Sequence, residues 1–201
     1  MDPKFIGQFE NIDKAATEAL WHIDARAEEE GWDQPPALLL VKVKPVGRLE
    51  DTEMFLSALD VSLFTGWPAV VERYEDIKDM LSLVVFVMGQ FPKELRGPLV
   101  DLDHLYGLAL VSETWTVNTD TKDKAEVAHL QGRLDAGDRI SDMENRVESR
   151  MVFLTTMEGH STMLTHERDG VAKIIAPSQE GAQITGSVPA LLTKLIRVIK
   201  E

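Results

Sequence analysis

Gly31-Trp32-Asp33-Gln34-Pro35-Pro36 separates a long amphipathic pattern from the first strand pattern, Ala37 to Val43, and its reading sets the fold class. A glycine able to close a helix in the left-handed conformation, followed by prolines that hold the backbone extended, marks a helix end and a strand start. Upstream, Phe5, Phe9, Ile12, Ala16, Ala19, Leu20, Ile23 and Ala27 recur at three- and four-residue spacings. That stripe predicts one helix, opened by Asp2 and Pro3 and stopped by Gly31. Glu28-Glu29-Glu30 falls at its carbonyl end, where the helix dipole disfavours negative charge; a solvated helix end is the ordinary explanation of such a run. Downstream, Leu38 to Val41 is continuously apolar and Lys42 and Lys44 then alternate with valines, which predicts a strand buried at its start and half exposed at its end, stopped by Pro45 and Gly47.

Further along, a short helix is expected around Asp51 to Leu59. Gly66-Trp67-Pro68 opens a longer one with Val70, Tyr74, Ile77, Leu81, Val84 and Met88 on one face. Its second half is apolar nearly all round, which predicts the most deeply buried helix; Phe91-Pro92 to Gly97-Pro98 reads as an irregular connection. Leu108 to Val117 is a strand with Ala109, Val111, Glu113, Trp115 and Val117 on one face. Residues 118–145 form a polar loop or insertion with one short helix near Ala125 to Leu134.

Arg146 to Met157 and His160 to Arg168 read as a hairpin around a two-residue Glu158-Gly159 loop, in a register that puts Met151, Phe153 and Met157 on the side of Leu164. Asp169-Gly170 turns the chain into Val171 to Ile175, and Val188 to Lys200 is a last helix capped by Ser187. The order is α-β-α-α-β-β-β-β-α. It predicts one α+β domain over residues 1–201, with a mixed or antiparallel sheet of four to five strands and helices on one face.

Composition narrows the function classes. A chain of 201 residues buries a core without staples, and the absence of cysteine excludes disulfides and thiolate metal sites. With 34 acidic and 21 basic residues the formal net charge is −13, which repels phosphate backbones, so direct nucleic-acid binding is not expected. The start of the chain lacks the basic flank and apolar run of a signal peptide, and the apolar window Leu81 to Met88 is far short of a membrane span. A cytoplasmic protein with no membrane association is expected.

Glu113 is the most informative polar residue, because a carboxylate on the apolar face of a strand needs a partner, a proton or solvent. Arg146 and Arg150, on the expected neighbouring strand, are the nearest candidates. Glu113, Trp115, Arg146 and Arg150 therefore form the candidate polar cluster, with a structural ion pair as the bland reading and a ligand anchor or general base as the sharp one. His160 and His166 lie too far apart along a strand to share an ion, and Asp101-Leu102-Asp103-His104 is more simply a turn than a metal loop. Gly159-His160-Ser161 lacks the second glycine of a nucleophile elbow, and there is no phosphate loop or dinucleotide fingerprint. Trp21, Trp32, Trp67 and Trp115 read as core anchors at element ends. No catalytic residue, metal or cofactor is expected.

Gly31 to Leu38 after an N-terminal helix, together with Tyr106 to Trp115 followed by an arginine-containing hairpin, resembles a group of uncharacterised proteins of actinobacteria and their phages. The likeness of layout extends over most of the chain, and Gly31, Trp32, Asp33, Gln34, Pro35 and Pro36 are its signature. The long polar insertion departs from the group. The resemblance implies an actinobacterial or phage protein, in the host cytoplasm if phage-encoded, and brings no catalytic pattern with it.

The leading expectation is a non-catalytic binding or regulatory protein that contacts a protein partner through its acidic surface or a sheet edge, with self-association as an accompaniment. One alternative is an acidic DNA mimic or anti-defence protein. The other is a small-molecule-binding protein or enzyme with a pocket near Glu113, Trp115 and Arg150; a mixed polar and apolar pocket there favours it, a sealed core ends it.

Overall fold

Beta pairing organises the chain. The computed structural model describes residues 4–6, 12–48, 55–100, 104–117, 124–144, 146–175, 184 and 186–201. In chain order these form β1 (Lys4–Ile6), α1 (Ile12–Glu30), β2 (Ala37–Arg48), β3 (Phe55–Leu63), α2 (Trp67–Val71), α3 (Ile77–Gln90) and α4 (Lys93–Val100). Next come β4 (Leu105–Val117), α5 (Lys124–Asp135), a 3-10 turn at Ile140–Asp142, β5 (Arg146–Thr156), β6 (Ser161–Glu167), β7 (Lys173–Ile175) and α6 (Ser187–Lys200). The strands build one seven-stranded sheet in the order β1-β3-β2-β4-β5-β6-β7, and every pairing is antiparallel. The fold is α+β, as the sequence predicts, with more strands than the expected four to five.

Period-2 alternation divides the strand residues between two cores. Leu38, Leu40, Leu108 and Leu110 pack with Trp67 of α2, Met80, Leu81, Val84 and Met88 of α3, and Leu192, Leu195 and Ile196 of α6. On the other face Val41, Val61, Ala109, Val152, Leu154 and Leu164 meet Ala16, Ala19, Leu20 and Ile23 of α1. Helices therefore cover both faces, not one, and this double burial is why Leu38 to Val41 reads as an unbroken apolar run. Helix α1 lies over β5 and β6, towards one side of the sheet.

Several local expectations change for identifiable reasons. Lys4–Ile6 is a strand paired with Ser57–Leu59 rather than the first turn of α1. Phe55–Leu63 is a strand rather than a helix, because β2 continues past Pro45 through a register shift and offers it a long hairpin partner. Lys42, expected on the exposed side of β2, is buried. The helix after Gly66 is broken, and α3 starts afresh where the Asp76 carboxylate accepts from the amides of Lys78 and Asp79 at 2.8 and 3.3 Å. Residues 93–100 are helical instead of irregular.

The β5–β6 loop holds three residues, since the Thr156 amide donates to the His160 carbonyl and Gly159 takes φ 89°. The register consequently pairs Val152 with Leu164 and puts Met151 and Phe153 on the opposite face, the inversion that a one-residue slip produces. Ser187 makes no side-chain cap to α6; Gly186 occupies the cap position. Asp101 to Asp103, expected as part of a turn, lie outside the described residues. Among the described residues no helix is long and apolar enough to cross a membrane.

Candidate functional site

Sheet register places Glu113 of β4, Arg150 of β5 and His166 of β6 side by side on the face covered by α1. Arg150 is only 1% exposed, and a guanidinium taken out of water that far needs charge and hydrogen bonds around it. Its Nη1 donates to Glu28 Oε2 at 2.9 Å and lies 3.7 Å from Asp24 Oδ1. Its Nη2 donates to the Gly31 carbonyl at 3.1 Å and to Glu113 Oε1 at 3.3 Å. Asp24 and Glu28 stand one helical turn apart, so α1 presents both carboxylates to the same strand. A cation at the last carbonyls of α1 also offsets the dipole cost of Glu28-Glu29-Glu30, which makes Glu28 part of the cluster rather than only a solvated end.

Glu113 reaches in a second direction. Its Oε2 accepts from the backbone amides of Asp33 at 2.6 Å and Gln34 at 3.2 Å, so β4 holds the helix-to-strand junction by its main chain. Asp33 adopts φ 65° and Gly31 φ 90°, and these two left-handed residues turn the chain tightly enough to point successive amides at one carboxylate. Gln34 folds its side-chain amide back to the Glu30 carbonyl at 3.3 Å. From the other side of the sheet the Trp67 indole donates to the Pro36 carbonyl at 2.6 Å.

Trp32, expected as an apolar anchor, is half-buried with the guanidiniums of Arg150 and Arg168 at 4.4 and 5.4 Å from its ring centre. The ring of His166 meets it edge-on at 6.1 Å, while Nδ1 lies 3.0 Å from Asp24 Oδ2. Arg168 bridges Glu148 and Asp33, and the Glu148 carboxylate first, with Asp33 behind it, makes this guanidinium more basic than usual despite partial desolvation. Carboxylate oxygens of Asp33, Glu113 and Glu148 approach within 4.8 Å of one another. Each already faces a guanidinium: Arg168 for Asp33 and Glu148, Arg150 for Glu113. The arrangement neutralises a buried cation and fastens α1, the junction and three strands to one another.

The four residues singled out from sequence fall into two groups. Glu113 and Arg150 touch; Trp115 and Arg146 form a separate stack further along the same strand pair, with the guanidinium 4.9 Å from the ring centre. That second pair borders an open depression with Glu148 and Arg168. Asp24, Glu28, His166 and Arg168 were not foreseen. An i, i+4 carboxylate pair on α1 was the available signal for the first two, but nothing in the sequence aims it at a strand more than a hundred residues away.

Two hollows adjoin these elements. A cleft of about 250 Å3 opens between the C-terminal half of α1 and β2–β4, with Ile23, Leu39, Val61 and Val111 as its floor and Arg26, Glu30, Gln34 and Glu113 at its polar end. An apolar hollow of about 290 Å3 lies on the opposite side of the sheet, where α3 meets the β3–α2 turn. Around it α3 does not close over: Phe86 is 64% exposed and Val87 41%. Phe91 and Leu95 in the segment that follows are exposed as well. Arg96 fixes that segment by donating to the carbonyls of Phe91, Gly89 and Val198 at 2.8, 3.1 and 3.0 Å. The expectation that α3 is the most deeply buried helix therefore holds for one face only. Of the four tryptophans, Trp67 is a core residue, whereas Trp21 and Trp115 are 44% and 39% exposed.

Comparison with family models, with curated proteins and with solved structures yields no match.

Proposed function

We propose that the chain is a binding protein that acts by contact with a protein partner, and that the outer face of α3 is the contact surface. The observation that carries this reading is the exposure of Phe86, Val87, Phe91 and Leu95 on α3 and the segment after it, with Val87 and Phe91 lining the hollow shared with Phe64, Val70 and Leu83. Large apolar side chains clustered at the surface of an otherwise well-packed protein mark interaction sites. Helix-in-groove docking by an amphipathic segment of the partner suits an apolar hollow of this kind. The resemblance of the Gly31 to Pro36 signature to uncharacterised actinobacterial and phage proteins supports the cytoplasm of an actinobacterium as the setting. The DNA-mimic alternative draws less support, because Asp24, Glu28, Asp33, Glu113 and Glu148 face Arg150 and Arg168 rather than forming an unneutralised acidic row.

The test is a Phe86→Asp, Val87→Asp double variant. Both side chains are exposed, so the fold and melting temperature should survive, while the proteins that the wild-type chain retains from an actinobacterial lysate should be lost. Retention of the same proteins by the variant would remove α3 as the contact face. Light scattering at high concentration of both forms shows whether a second copy is the partner: a dimer that the variant abolishes identifies self-association.

A further inference from the structure

We infer, resting on the contact face proposed above, that its occupant is a second copy of this chain, docked with the two α3 helices antiparallel about a two-fold axis beside Phe86. Helical spacing gives the outer side of α3 its pattern. Asp79, Leu83, Phe86 and Gln90 follow one another at four-, three- and four-residue steps, with Ser82 and Val87 beside them, so they form one outward stripe. Phe86 and Val87 are exposed and Leu83 is half-buried, whereas Met80, Leu81, Val84, Val85 and Met88 on the inner side fill the core. A stripe that is apolar in the middle and polar at both ends matches itself when turned end over end, which is what an isologous contact requires.

Gly89 fits the same contact. It lies exposed in the last turn of α3, three residues from Phe86, and a Cβ there would meet nothing within 4 Å among the described residues. Packing within the chain therefore gives no reason for glycine at a helical position where alanine is the better former. A second helix does, because the separation of two packed helices is set by the side chains between them, and a missing one lets the Phe86 ring of the other copy lie against the backbone. Charge then sets the orientation. Asp79 stands seven residues before Phe86 and Lys93, at the start of α4, seven after it, each about 10 Å away at 1.5 Å per residue, and both are exposed. Antiparallel helices centred on Phe86 bring Asp79 of each copy to Lys93 of the other, and Lys78 beside it to Glu94. The axis makes each of these pairs twice. Parallel helices would set Asp79 against Asp79 and Lys93 against Lys93, and would align the two helix dipoles. With −13 on each copy, association needs such local matching.

Sedimentation equilibrium of the full chain at low salt tests this. The wild-type chain should dimerise, and Gly89→Leu should weaken the dimer at least about tenfold while the melting temperature of the dilute, monomeric chain does not fall. Asp79→Lys and Lys93→Asp should each weaken self-association severalfold, and an equimolar mixture of the two variants should associate more tightly than either alone, since only the mixed pair puts unlike charges together at both ends. A chain that stays monomeric at high concentration, a dimer indifferent to Gly89→Leu, or a mixture no tighter than its components would overturn it. A strict monomer whose Phe86→Asp, Val87→Asp variant still loses the proteins retained from a lysate would leave the contact face standing and remove the second copy as its occupant.

Discussion

Arg150 joins separate parts of the chain, because one guanidinium meets α1, the junction at Gly31 and β4 at once. Its removal takes the guanidinium from Glu28, Glu113 and Asp24 and leaves Asp24 with His166 alone, and breaking a buried pair costs about 3–5 kcal/mol. Arg150→Ala should lower stability by that amount in denaturant unfolding, and Arg150→Lys should recover little of it, since an ammonium cannot reach carboxylates and a carbonyl in divergent directions. Glu113→Gln keeps an oxygen for the amides of Asp33 and Gln34 but loses the charge opposite Arg150, so a smaller loss of about 1–3 kcal/mol is expected by the same measurement. A loss below 0.5 kcal/mol, taken as about the limit for an uninvolved surface site, would show that Glu113 does not hold the junction. The Glu113–Arg150 contact was legible in the sequence because a carboxylate on an apolar strand face demands a partner. The roles of Asp24, Glu28 and His166 were not, because they depend on which strand α1 crosses.

Among the elements, the start of β2 and the body of β4 were legible, since their apolar runs are long, but β2 runs on through the Pro45 and Gly47 expected to stop it. Phe55–Leu63 was not, because Phe55, Ala58, Leu59 and Leu63 satisfy a helical spacing as well as Phe55, Ser57, Leu59, Val61 and Leu63 satisfy alternation, and only pairing with β2 decides. The β5–β6 register failed by one residue through the loop length, and every face assignment on β6 inverted with it. Close strand contact also gives Gly107 a purpose that Gly132 lacks. A Cβ at Gly107 would press into the carbonyl oxygen of Thr155 on β5, well inside van der Waals contact, whereas one at Gly132 on α5 meets nothing within 4 Å. Gly107→Ala should therefore destabilise the chain by forcing β4 from β5, and Gly132→Ala should stabilise it by about 0.5–1 kcal/mol through helix propensity. Thermal melts of the two variants should move in opposite directions; equal shifts would contradict the close approach.

At the scale of the whole molecule, the sheet keeps its polar fastening and its exposed apolar face on opposite sides. The α1 side carries the Arg150 cluster and the small cleft; the other side carries α3 with Phe86 and Val87 in solvent. Sequence patterning detected that α3 is apolar all round and took this for full burial, because periodicity reports how apolar a helix is and not how many neighbours are present to cover it. The separation predicts that partner binding and stability respond to different substitutions. Hydrogen–deuterium exchange of the chain, free and with any protein that it is found to retain from an actinobacterial lysate, tests this most directly. Contact through α3 predicts new protection within residues 77–96 and little change over residues 31–36 and 146–156. Protection centred on the Gly31 to Pro36 junction or β5, with α3 unchanged, would contradict it.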